Sequence, residues 1–153
     1  MYEYRAKINR VVDGDTVDVD LDLGFNIVLT NERVRIMGID TPESRTSDPI
    51  EKVFGLAAKE RLKELLGKES ILKTEVSKDG EDMKGKFGRI LGDFLTEDGR
   101  RVTDIMIEEG HCVRYHGQNK ADVQVAHMAN RQKLMTEGVV DPAVVQAAQK
   151  EAK

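Results

Sequence analysis

Positions 17–23, Val-Asp-Val-Asp-Leu-Asp-Leu, alternate apolar and acidic residues without a break. A period of two puts Val17, Val19, Leu21 and Leu23 on one side of an extended chain and Asp18, Asp20 and Asp22 on the other. The stretch therefore predicts a strand with one buried and one solvated face. A strand of more mixed polarity is predicted over 2–12, and Asp13-Gly14-Asp15 supplies the turn between the two. Gly24-Phe25-Asn26 reads as the next turn, and a third strand is predicted over 32–39, ending at Asp40. The period then changes. Between 51 and 66 the residues Val53, Leu56, Ala57, Leu62, Leu65 and Leu66 recur at helical spacing, and Gly67 is placed to end the helix. Two more strands are predicted over 70–76 and 87–95, with a charged, Gly-containing loop between them. Helices follow over 102–109, closed by Gly110, and over 122–137, closed by Gly138. Asp141-Pro142 has the form of a helix start, cap then proline, and opens an Ala- and Gln-rich tail that is either helical or frayed.

Three strands, a helix, two strands and then helices is the order of the five-stranded Greek-key barrel known as the OB-fold. The expected class is α+β, a five-stranded barrel with about three helices, occupying 1–138 and followed by an extension over 139–153 that is free to mediate self-association. The chain has 153 residues, which suits one core. Cys112 is the single cysteine. It can form no internal disulfide, and a buried, inert thiol is expected. No apolar run approaches the ~20 residues of a membrane-spanning helix. The first residues lack the basic-then-apolar pattern of a signal peptide, so a cytoplasmic protein is expected. The formal net charge is −4, which counts against a nucleic-acid partner unless the positive charge is gathered locally.

Chemistry enters at five positions. Asp15 falls in phase with the apolar side of its strand, where a carboxylate is costly unless it is paired or bound to a metal; capping a turn is the plainer alternative. Asp40-Thr41-Pro42-Glu43 ends a strand in a stiff bend, since proline fixes its own φ and pushes Thr41 out of the helical region. Two carboxylates and a carbonyl held this way suit a hard cation such as Ca²⁺. The spacing of His111, His116 and His127 forms no familiar metal site, and no Cys/His cluster offers one for Zn²⁺. Arg35 and Arg89 stand in or beside apolar strands. Guanidinium groups suit phosphate oxygens, although each could equally pair with a surface carboxylate.

Val12-Asp13-Gly14-Asp15-Thr16-Val17, Arg33-Val34-Arg35-Ile36-Met37-Gly38-Ile39-Asp40-Thr41-Pro42-Glu43 and Lys86-Phe87-Gly88-Arg89 resemble, in order and spacing, the signature segments of the staphylococcal nuclease (thermonuclease) family. The resemblance runs over about 5–137. It implies a Ca²⁺-dependent endonuclease acting on DNA, RNA or both and leaving 3′-phosphate and 5′-hydroxyl ends. By this resemblance Asp15 and Asp40 match the calcium carboxylates, and Thr41 the residue that lends a backbone carbonyl. Glu43 matches the carboxylate drawn as general base, and Arg35 and Arg89 the two arginines that grip the scissile phosphate. Lys84, Lys86, Tyr115 and His116 are candidates for binding the rest of the substrate. Phe87 stands where the best-known members carry a tyrosine, and those members are basic where this chain is acidic. The alternative class is a nucleic-acid- or protein-binding module on the same barrel with its chemistry lost.

Overall fold

The computed structural model describes residues 2–74 and 89–151. Five strands close into a barrel in the order β1-β2-β3-β6-β5, where β1 is Glu3–Asp13, β2 Thr16–Asp22, β3 Val28–Ile36, β5 Glu69–Thr74 and β6 Ile90–Leu95. The β3–β6 pair is parallel and the other pairs are antiparallel. This is the OB-fold barrel, α+β in class. A separate two-stranded ladder pairs β4, Ile39–Asp40, with β7, Val113–Arg114. The strand expected over 32–39 is thus shifted. The β3 strand begins earlier and ends at Ile36, the chain turns through Gly38 at φ +79°, and Asp40 stands on its own short strand against β7.

Within β2 the alternation does what its pattern demands, but Leu23, expected on the buried side, lies past the end of the strand and is exposed. Val17, Val19 and Leu21 are buried in the barrel, and its aspartates face outward. All three are engaged there, Asp22 by accepting from Gly24 N at 2.8 Å. Asp18 pairs with Arg33 across β2–β3 at 2.9 Å, and Asp20 accepts from the Asn9 side chain at 2.8 Å and the Asn31 backbone at 2.9 Å. Barrel residues and one face of the first helix share a single core that includes Val34, Ile36, Leu62, Leu72, Phe94 and Met106.

Helix α1 spans Pro49–Leu66, two residues longer at its start than the periodicity suggested. Asp48 caps it, accepting from the backbone of Ile50 and Glu51 at 3.0 and 3.3 Å, with Pro49 in the first turn. Its buried residues are Phe54, Gly55, Ala58, Leu62 and Leu66, while Leu56, which the spacing placed inward, is exposed. Helices α2 (Val102–Glu109), α3 (Lys120–Thr136) and α4 (Pro142–Glu151) complete the chain. The tail is ordered into α4 because Val140 and Val145 join Phe54 and Leu134 in a second apolar cluster, closing the far side of α1.

Candidate active site

Three backbone segments converge at one end of the barrel, and small residues allow it. The turn between β1 and β2 lies against the segment after β4. A Cβ on Gly14 would meet Ala58 Cβ at 3.0 Å and Thr41 Cβ and Cγ2 at 3.3 Å. Asp13 Oδ1 accepts from Gly14 N at 3.1 Å and from Ser44 N at 3.2 Å, tying the turn to a residue 31 positions later. Helix α1 closes the third side. A Cβ on Gly55 would fall 2.2 Å from the Glu43 carbonyl oxygen and 2.6 Å from Ser44 N, so only glycine lets the helix seat there. The Glu43 N–H also points to Glu51 Oε1 at 3.4 Å. The Ser44 hydroxyl is buried in this junction without a hydrogen-bond partner.

Arg35 is the hub. Its Nη2 lies 3.3 Å from Asp15 Oδ2 and donates to the Ile39 carbonyl at 3.2 Å, while Nη1 donates to the Ile36 carbonyl. One guanidinium nitrogen therefore reaches both the Asp15 carboxylate and the residue before Asp40. Asp15 Oδ1 accepts from the Thr16 hydroxyl at 2.9 Å, and the Asp15 carbonyl receives Ile36 N at 2.8 Å. Asp40 Oδ2 lies 2.7 Å from His127 Nε2 on α3. Thr41 is buried and Glu43 exposed. Arg89 immediately precedes Ile90, which pairs with Val34. Arg89 therefore stands at the mouth of the parallel β3–β6 seam, one residue before the strand begins. The proximity of the acids is also felt at Cys112. Burial first, and then the nearby negative charges of Asp15, Asp93 and Asp40, push its thiol up to about 12, so it is a neutral, inert wall.

The donor set fits a hard cation. Arg35 stands beside the Asp15 carboxylate and the start of the Asp40-Thr41 segment, which carries oxygen donors. The site's thiol is protonated, and its imidazole, His127, is turned to Asp40. Oxygen donors of this kind suit Ca²⁺. Among the described residues no three His, Cys, Asp or Glu side chains are gathered closely enough to hold a metal ion, so an ion here would rest on at most two carboxylates and take the rest of its shell from backbone, water or substrate oxygens.

Tyr115 and His116 follow β7, both exposed. Tyr115 N donates to the Gly38 carbonyl at 2.8 Å, fixing this segment beside the turn that leads to Asp40, and His116 N donates to Gln118 Oε1 at 2.8 Å. Lys84 and Lys86 lie outside the described residues. Sequence reading missed Asp13, Glu51 and His127. Asp13 had a signal, being the other acid of the same turn. His127, 87 residues from Asp40, had none.

An OB barrel with Arg35 paired to Asp15 beside the Asp40 segment at its rim defines the class of fold and site to compare with known proteins. Residues 33–137 match the model of the family described as staphylococcal nuclease homologue, and the chain belongs to that family. Among its relatives are a protein named micrococcal nuclease from Shigella flexneri, 31% identical over 86% of this chain and 72% of the relative, and a thermonuclease from Staphylococcus intermedius, 33% identical over 55% of this chain and 44% of the relative. Endonuclease YhcR of Bacillus subtilis is 30% identical over 74% of this chain, which spans only 9% of that relative. Two further Bacillus subtilis endonucleases are matched over 31% and 44% of their length. Among the described residues no helix is long and apolar enough to cross a membrane.

Proposed function

We propose that this chain is a Ca²⁺-dependent nuclease hydrolysing phosphodiester bonds of DNA, RNA or both. The observation that carries the reading is the shared Arg35 nitrogen, which reaches the Asp15 carboxylate and the carbonyl beside Asp40 at once. This supports a reading in which the phosphate-binding group and the cation's ligands act together. Asp15, Asp40 and the Thr41 carbonyl would hold the ion. Bound Ca²⁺ supplies positive charge that lowers the repulsion between an anionic phosphodiester and the incoming water.

The chain's own residues do the rest. The exposed Glu43 carboxylate takes the proton of the attacking water. Its backbone is pinned by α1, which fixes where that base stands. Arg35, already anchored by backbone carbonyls, and Arg89 bind the phosphate oxygens as charge builds on phosphorus. The bond to the 5′ oxygen breaks, and the products carry a 3′-phosphate and a 5′-hydroxyl. Tyr115 and His116 offer exposed rings to a base, and Lys84 and Lys86 are assigned to the substrate backbone. The nuclease unit is 1–138, and the extension that follows braces α1 through Val140 and Val145.

The test is degradation of plasmid, single-stranded DNA and RNA in Ca²⁺ and in chelator. Cleavage in Ca²⁺ that stops in chelator supports the reading. An inert wild-type chain overturns it and leaves a binding module.

A further inference from the structure

We propose that His127 is a positioning residue for the cation site, holding the Asp40 carboxylate in the orientation that binds Ca²⁺; the inference rests on the metal-dependent reading above. Helix α3 buries only two side chains, His127 and Leu134, seven residues apart on one face. Leu134 does ordinary apolar work in the cluster with Phe54, Val140 and Val145. The other contacts of that face go to α2 and the segment after it, since Asn130 donates to the Cys112 carbonyl at 3.2 Å and Lys133 to the Glu108 carbonyl. An imidazole is a poor choice for simple filling, because burying its polar atoms costs stability unless they are bonded.

The bond it makes is specific. The His127 ring is 10% exposed and the Asp40 carboxylate 43% exposed, at a separation of 2.7 Å. That is the length of a charge-assisted hydrogen bond. With its proton on Nε2, His127 donates to Oδ2. Among the described residues no side chain bonds Oδ1, and that oxygen remains for the cation.

Asp15 is held in the same manner, by the Thr16 hydroxyl at 2.9 Å and by Arg35. Both ligand carboxylates are therefore oriented by a partner outside the ligand set. The carboxylate of Asp40, on a two-residue strand at the surface, would otherwise sample several rotamers and lose that freedom on binding. Partners that orient metal ligands typically contribute ~10–100-fold in affinity. The helix that closes the domain thus takes part in the site through one side chain.

The experiment is calorimetric titration of the full chain with Ca²⁺ alone, beside thermal melts in chelator. His127→Leu fills the space without a donor, and His127→Gln keeps an N–H donor. His127→Leu is expected to melt near the wild type in chelator yet to bind Ca²⁺ ~10–100-fold more weakly, with His127→Gln within about threefold of wild type. Equal Ca²⁺ affinity in His127→Leu and wild type overturns the inference and leaves the nuclease reading standing. So does a His127→Gln affinity as poor as that of His127→Leu, which would assign the effect to ring shape. A wild-type chain that binds no Ca²⁺ overturns both.

Discussion

Replacing Gly55 by alanine probes the junction on which the site is built. In an exposed helix interior this change stabilises by up to ~1 kcal/mol, because glycine costs more chain entropy than alanine. Here the added Cβ would lie 2.2 Å from the Glu43 carbonyl oxygen, 2.4 Å from its carbon and 2.6 Å from Ser44 N. All three are backbone atoms, and none can rotate aside. Relief requires α1 and residues 43–44 to part by about an ångström, toward ordinary contact distance. Forced overpacking of this kind costs about 1–3 kcal/mol. Set against the propensity gain, Gly55→Ala loses up to about 2 kcal/mol, a fall in Tm of up to about 8 °C for a chain of this size. The displaced segment carries Glu43, and a misplacement of about 1 Å in a catalytic group can cost ~10² in rate. Thermal melts and initial cleavage rates should therefore both fall. A Gly55→Ala variant with a raised Tm and full activity would refute the reasoning, since it would mean that α1 does not seat on the Glu43 carbonyl.

Phe54→Ala opens the second apolar cluster, where the ring meets Leu134, Val140 and Val145 and lies under the Arg131 guanidinium at 5.3 Å. The expected loss is ~3–5 kcal/mol by denaturant melt, accompanied by faster proteolysis after residue 138; unchanged proteolysis would detach α4 from the account. Burial lowers the pKa of His111 below its ordinary 6.5, with Glu109 and Glu64 favouring its charge and Arg61 opposing it. The unfolded chain therefore binds the proton more readily. The stability from this group is fully present above pH 6.5 and is lost as pH falls from there toward the lowered folded value. Urea melts between pH 8 and 5 should show that loss in the wild type and a flatter profile in His111→Gln; identical profiles would contradict it. Cys112, buried and raised to about 12, should resist thiol reagents at pH 8 until the protein is unfolded, and rapid native labelling would count against the described packing.

The barrel was legible because its signal is local. Strict alternation at 17–23 and the change to helical spacing after Glu51 announce strand and helix from the chemistry of neighbouring residues. The phase argument for Asp15 does not carry over, because the residue sits in the turn before β2 and pairs with Arg35. Legibility ended where partners come from afar. Leu56 fits the helical spacing as well as Phe54 does, but the buried face is fixed by where α1 meets the 43–44 backbone, and no local pattern encodes that. The β3 strand ends at Ile36 because Gly38 turns the chain and β7, more than 70 residues later, offers Asp40 a new partner. The tail looked prone to fraying from its Ala and Gln content, and Val140 and Val145 order it only because Phe54 is there to receive them. The Asp40–His127 contact belongs to the same class, since either residue alone reads as an ordinary surface acid or an ordinary buried ring.

The most direct measurement is the single-turnover cleavage rate of a labelled oligonucleotide in Ca²⁺, compared for the wild type, Arg35→Ala and Glu43→Gln. A pocket in which Arg35 meets both the phosphate and the cation's ligands predicts Ca²⁺-dependent cleavage by the wild type, with losses of ~10²-fold or more in each variant. Variants that cut as fast as the wild type would contradict it.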